Sequence, residues 1–389
     1  MDTMTKQPSQ WTRRTFSTGL AIFAGIPSLS LKALAKSLND DQKDAAGFAY
    51  IGSEAGEGAI HVFDTTGDHW RPMQRVPAMR PAHLERHPSL PILYAVHAVD
   101  LWDHLPRGAV SAYSINASSG RLQLLNTRAL SLSATSPRHA VVTDNGAHLI
   151  VAAQKGGSYD LLPIASDGSL MASESVRKEV GLVEGLITKT AQPRCILRHP
   201  DGSTLLTADS GNEAMHSFKI EAGLLQRQAS LRIHPQAGPS QIDHSSDGKW
   251  IYALNSINGS LSVHAWNQVS KQISAASQVI ALPRPGATLM AMHPERRFLV
   301  TAGVDDRALA IHSLSIDHRT GRLALVESTQ QRERLSALAF SPNGEYLVGV
   351  GADSGQIIRL SFDSQTGVIR NRQSIAQVDS ASCVAFHSA

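Results

Sequence analysis

Hydrophobic and polar positions alternate along most of the chain in short runs separated by polar turns, and the unit they form recurs. The stretch GPSQIDHSSDGKWIYALN, Gly238 to Asn255, leaves a Gly-Pro turn, passes through a short alternating strand, breaks at Asp247-Gly248 and enters a second β-rich run. Period-two alternation belongs to strands, and Asp-Gly is turn chemistry. The same break follows a short apolar strand at six places: HPSL at 87–90, TDNG at 143–146, HPDG at 199–202, SSDG at 245–248, HPER at 293–296 and SPNG at 341–344. The spacings are 56, 56, 46, 48 and 48 residues, the range in which a period signals propeller blades or similar arrays.

After each break comes a β-rich run (ILYAVH, HLIVAAQ, TLLTAD, WIYALN, FLVTAG, YLVGVG). A further run follows a turn bearing Gly or Asp (AVSAYSI, YDLLPI, AMHSFKI, LSVHAW, LAIHSL, IIRLSF), and then a more polar one. Each unit is predicted as four short strands, without a helical period. Such a sheet cannot bury both faces alone, so the units must stack face to face in a ring. The ends supply a seventh unit. GFAYIGSE at 47–54 and AIHVFDTT at 59–66 read as second and third strands lacking a first, and SCVAFHS at 382–388 reads as a first strand lacking the rest. The expectation is an all-β, seven-bladed β-propeller of four-stranded blades over residues 47–388, closed by the C-terminal strand pairing into the N-terminal blade and leaving no raw edge. A pair of β-sandwiches would need neither the common period nor the complementary ends.

The N-terminus departs from this pattern. TRRTFST at 12–18 sets Arg13-Arg14 before a mostly apolar run of thirteen residues, Gly19 to Leu31, and Ala33-Leu34-Ala35 follows in the small-x-small form that signal peptidases cut. Residues 1–35 therefore read as a twin-arginine-type export signal, 36–46 as a linker, and the mature protein as periplasmic. The apolar run is too short to span a bilayer, so no membrane association is expected once the signal is removed.

The 389-residue chain is 42% hydrophobic, enough for a large core, and its formal charge is +3. Without Lys6, Arg13, Arg14, Lys32 and Asp2, the remaining chain carries 32 basic and 32 acidic residues. A balanced chain lacks the electrostatic footprint of a nucleic-acid or polybasic membrane binder. The two cysteines, Cys195 and Cys383, fall on well-separated blades, so no disulfide is expected.

The chain resembles the seven-bladed lactonase family, which includes propeller-type 6-phosphogluconolactonases and carboxy-muconate lactonising enzymes. The likeness covers residues 47–388 and rests on AYIGS at 49–53, GAVSAYSINASSGRLQLLN at 108–126, SPRHAVV at 136–142, GGS at 156–158, GPSQIDHSSDGKWIYALN at 238–255 and HRTGRLALVES at 318–328. Similar proteins usually carry Arg-His after the Gly-Pro of the fifth unit and Glu after its last Asn, where this chain has Ser240, Gln241 and Ser256. A Pro-His-x-His run is replaced by Gln192-Pro193-Arg194-Cys195. The usual Asn and Tyr before the GGS loop are Ala153 and Gln154. Pro137-Arg138-His139 is kept.

In a propeller, the starts of the first strands and the loops between second and third strands crowd one channel mouth. His83, His97, Asp100, Asp103, His104, Arg138, His139, Lys155, Gln192, Arg194, Gln241, Asn255 and Asp305 are the polar residues placed there. Opening a lactone needs a base to activate water and a cation to hold the oxyanion, roles that suit imidazole and guanidinium. His139 is the candidate base, and Arg138 and Arg194 are the carbonyl-binding cations. His97, Lys155, Gly157, Ser158, Gln192, Gln241 and Asn255 are candidate substrate-binding residues. No metal or cofactor is expected. His87, His199 and His293 recur before a turn proline, which suits a repeated structural position. Nucleophile-elbow, zinc-protease, phosphate-loop and dinucleotide motifs are absent.

The resemblance implies a monomeric lactone hydrolase acting on a sugar-acid lactone, and export favours a neutral, gluconolactone-like one. The replaced positions leave open a non-catalytic propeller that binds a small molecule or protein partner, and a lactonising isomerase using the same cleft is a third reading.

Overall fold

The structure is a computed structural model that describes residues 47–184, 187–282, 287–304, 309–331 and 334–388. The export-type segment 1–35, the linker 36–46 and Asp305 lie outside the described residues.

Seven four-stranded antiparallel sheets form the blades. Their inner strands, from blade two to blade seven, are Pro81–Arg86, Pro137–Val142, Pro193–Arg198, Pro239–His244, Ala287–Met292 and Leu335–Phe340. Blade one takes its inner strand, Ala381–Ser388, from the other end of the chain. It pairs antiparallel with Gly47–Ser53, placing Gly52 opposite Cys383 and Tyr50 opposite Ala385. Each inner strand packs on the next, and Ala381–Ser388 packs on both Leu335–Phe340 and Pro81–Arg86, so the ring closes. The seven blades and the terminal closure are those expected from the repeat.

Burial explains the strand types. A second strand such as Ile92–His97 is covered on both faces and is buried throughout, so it reads as a continuous apolar run. An outer strand such as Leu224–Arg232 buries little beyond one residue, and its sequence is correspondingly polar. The core lies between blades: Tyr94, Val96 and Val110 of blade two pack with Leu149 and Val151 of blade three.

Polar clasps join the blades at the far mouth. The ring nitrogen Nε2 of His87, His199 and His293 lies 3.1, 2.9 and 3.3 Å from the carbonyl oxygens of Gly146, Gly248 and Gly344 in the next blade. A Cβ on Gly248 would come within 2.6 Å of the His199 ring, at a φ of +69° that favours glycine. In the intervening blades the equivalent positions are Thr143, Ser245 and Ser341, whose hydroxyls accept the backbone N–H of His148, Trp250 and Tyr346. The recurring histidines are thus structural, and they alternate with hydroxyl caps.

One element was not legible in the sequence. The two three-residue strands Leu182–Glu184 and Ile187–Lys189 pair as a small hairpin between blades three and four, too short to show a period. Cys195 and Cys383 are unpaired and buried.

Candidate active site at the channel mouth

Every inner strand begins with the same irregularity. Its first residue pairs with the end of the second strand, the next is skipped, and pairing resumes at the third. The register shifts lie at Pro81/His83, Pro137/His139, Pro193/Cys195, Pro239/Gln241, Ala287/Leu289 and Leu335/Ala337. In blade one, Ser53 pairs with Ala381 and Gly52 with Cys383. A bulge leaves its extra residue free of the ladder and re-aims it. Seven skipped residues, Ala82, Arg138, Arg194, Ser240, Thr288, Ser336 and Ser382, therefore stand around one mouth of the channel.

Two neighbours in this ring are arginines, both exposed to the channel. Neither makes an ion pair with a carboxylate among the described residues. Arg194 has its pKa lowered by the desolvating surroundings and then by the positive charge of Arg138. Elsewhere the ring carries Ala82 at blade two and small hydroxyl residues. Ser336 donates to the Ala381 carbonyl at 2.5 Å, Ser382 to the Pro81 carbonyl, and Ser240 to the Leu254 carbonyl at 3.3 Å. The mouth is cationic at blades three and four and carries the hydroxyl residues Thr288, Ser336 and Ser382 at blades six, seven and one, while Ser240 of blade five is buried.

Beside the arginines, the rings of His83 and His139 stack at 3.9 Å between centroids and 27° between planes. His139 Nδ1 is buried without a hydrogen-bond partner. Burial, then the adjacent His83, hold the His139 pKa well below the ordinary imidazole value, so the ring is neutral at neutral pH. His83 Nε2 lies 3.8 Å from Glu85 Oε2, and Glu85 Oε1 accepts the Val142 backbone N–H at 3.1 Å. A carboxylate, two imidazoles and two guanidiniums thus come from three positions, the second (Arg138, Arg194), the third (His83, His139) and the fifth (Glu85), on the successive inner strands of blades two to four. His83 was among the mouth residues read from the sequence, but its stacking was not legible, because the two histidines lie fifty-six positions apart.

The remaining candidates divide into three groups. Gln192 lies at the mouth, where its Oε1 accepts Gln154 Nε2 at 3.3 Å. Lys155 is exposed there and paired with Asp100 at 2.6 Å.

Gln241, Gly157 and Ser158 sit in the scaffold. Gln241 Oε1 accepts the Met290 N–H of the next inner strand at 2.6 Å. Gly157 has a φ of +60° and sits so close to blade four that a Cβ would lie 3.1 Å from the Ala191 oxygen. Ser158 is 1% exposed.

His97 and Asn255 differ from the expected placement in the mouth. Each ends a second strand and faces a crevice between blades. His97 Nδ1 donates to the Met79 carbonyl and Nε2 accepts Ser111 Oγ, both at 2.7 Å, and the crevice it lines also includes the outer-strand residues Pro77, Leu124 and Thr127. Asn255 binds Ser260 and Ser262. In a pleat, a one-residue difference in register turns a side chain to the other face, which a polar residue at a strand end does not reveal.

Comparison with known proteins agrees with this architecture. Residues 48–386 match the family described as Lactonase, 7-bladed beta-propeller. A 6-phosphogluconolactonase of Bacillus subtilis (strain 168) is 23% identical over 314 residues, covering 79% of this chain and 87% of its own. Another, from Formosa agariphila, is 22% identical over 324 residues, covering 80% and 90%. Among solved structures, the periplasmic gluconolactonase PpgL of Pseudomonas aeruginosa superposes with a TM-score of 0.78 at 23% identity, covering 88% of this chain and 99% of its own. A putative 6-phosphogluconolactonase from Bacteroides fragilis NCTC 9343 gives 0.76 at 23% identity, covering 88% and 98%. At these identities the structural likeness carries the fold.

Proposed function

The chain belongs to the seven-bladed β-propeller lactonase family, and from that premise we propose that it hydrolyses a sugar-acid lactone at the channel mouth formed by blades two to four. The observation that carries this reading is the pair of arginines without carboxylate partners among the described residues, delivered by equivalent bulges next to a stacked, neutral imidazole.

The chemistry follows from these groups. His139 takes a proton from water as its oxygen attacks the lactone carbonyl. Arg138 and Arg194 hold the oxyanion that forms, and their placement before reaction makes that stabilisation effective. When the ring C–O bond breaks, the imidazolium returns the proton to the departing alkoxide. The product is an open-chain hydroxy acid, which ionises to its carboxylate. The hydroxyl-lined side of the mouth suits the hydroxyls of a sugar ring.

The twin-arginine-like segment and the likeness to a protein described as a periplasmic gluconolactonase support an exported enzyme acting on a neutral lactone. A second reading has its own observation. Ser240 and Gln241, at positions where similar proteins differ, are hydrogen-bonded within the scaffold, as in a propeller that binds without catalysis. The two are separated by following glucono-δ-lactone opening with purified mature protein in a weakly buffered indicator assay, with 6-phosphogluconolactone in parallel. Acceleration over the spontaneous rate is expected for the neutral lactone. No acceleration of either lactone would leave the binding reading.

A further inference from the structure

We propose that the crevice between blades four and five is a second ligand site, taking a small, largely apolar neutral molecule that carries one hydroxyl or N–H donor. The cavity is about 440 Å³, and its walls include Leu231 and Ile233 on one side and Ala276 and Val279 on the other. Its polar floor is Asn255, Ser260, Ser262 and His264, which are 2%, 5%, 4% and 1% exposed.

The direction of every proton on that floor can be worked out. His264 Nδ1 lies 2.9 Å from the Ser274 carbonyl oxygen, which only accepts, so Nδ1 carries the hydrogen. Burial keeps the ring neutral by lowering its pKa, so Nε2 is an acceptor and Ser262 Oγ, 2.8 Å away, donates to it. Ser260 donates its hydroxyl to Asn258 Oδ1 at 2.8 Å, an oxygen that also accepts the Ser260 backbone N–H. Both serine hydroxyl protons are therefore used, and toward Asn255 both oxygens can only accept. The amide must turn its Nδ2 to them, at 3.1 Å each. Asn255 Oδ1 is then fixed as a buried acceptor without a partner. An unpaired buried acceptor costs free energy that a donor from a ligand would recover.

The equivalent crevice between blades one and two sharpens the contrast. There the end of the second strand is His97, and the chain from Thr127 through Ser111 to His97 and the Met79 carbonyl is complete. That floor is a finished strut. The Asn255 floor lacks one donor, and Asn255, Ser260, Ser262 and His264 line the crevice whose walls include Leu231, Ile233, Ala276 and Val279.

Phenol and anisole test this, because they match in shape and differ in the donor. Titrated into the full protein and followed by ligand-observed NMR, phenol is expected to bind roughly tenfold tighter than anisole, the worth of one buried hydrogen bond. Asn255→Leu should bring the two affinities together. Should that variant fail to fold, Val279→Trp, which fills the crevice from its exposed rim, should abolish phenol binding. Equal binding of the two probes by the wild type, no phenol binding at all, or phenol binding unchanged in both variants would overturn the site.

Discussion

The imidazoles of His83 and His139, on neighbouring inner strands, stack with 3.9 Å between ring centroids. Two protonated rings cannot share that contact, and burial with His83 depresses the His139 pKa. A base must be unprotonated to act, so a lowered pKa moves the acidic limb of the pH profile below the ordinary imidazole value of about 6.5. Lactonase kcat/KM, measured from pH 4.5 to 7.5, should hold near its plateau as pH falls through 6.5. A limb centred at or above 6.5 would show that another group is the base.

Buried neutral imidazoles also set the stability profile. Burial lowers the pKa of His97 to about 4, and burial followed by the charge of Arg177 does the same for His216. Between about 6.5 and 4 the unfolded chain binds protons that the folded chain refuses, so stability is present above the unfolded value and is lost as pH falls through that window. His97 alone accounts for a loss on the order of 3 kcal/mol. Denaturant unfolding at pH 7 and pH 4.5 should show a clear drop, and equal stability at the two values would contradict the burial.

Ring closure makes the C-terminus structural. Removing residues 380–389 deletes the inner strand of blade one, which pairs with Gly47–Ser53 and packs against two neighbouring inner strands. The exposed backbone of that partner strand then has no pairing. The truncated protein is expected in the insoluble fraction. A soluble product with the wild-type Tm would contradict the closure.

The fold was legible because turn phrases repeat at a blade-sized interval and the two chain ends complete one blade between them. The arginines were legible through their place after Pro137 and Pro193 at corresponding points of two units. What the sequence did not show depends on which face of a sheet a residue takes. Asn255 and His97 are polar residues at strand ends, like those that line the channel, but they point into the crevices between blades. The bulge that directs Arg138 into the channel leaves no mark beyond the ring of small residues at matching positions, Ser240, Ser336 and Ser382 among them.

Export has its own test. Arg13-Arg14 precede an apolar run of the kind that the twin-arginine pathway reads. Changing both to Lys should leave the protein folded in the cytoplasm, as fractionation and immunoblotting would show. Undiminished periplasmic yield would sink the assignment.

The most direct measurement is lactone hydrolysis by His139→Asn, Arg138→Gln and Arg194→Gln, each with its Tm. Asparagine keeps hydrogen-bonding capacity but cannot accept the proton, so His139→Asn should lower kcat about 100-fold or more, the usual contribution of a positioned base. Each arginine variant should lose roughly 10-fold to 1,000-fold through the oxyanion. The double arginine variant should lose less than the product of the two, because both cations hold one oxygen. If the wild type hydrolyses the lactone and all three single variants match it at unchanged Tm, the reaction does not take place among these residues.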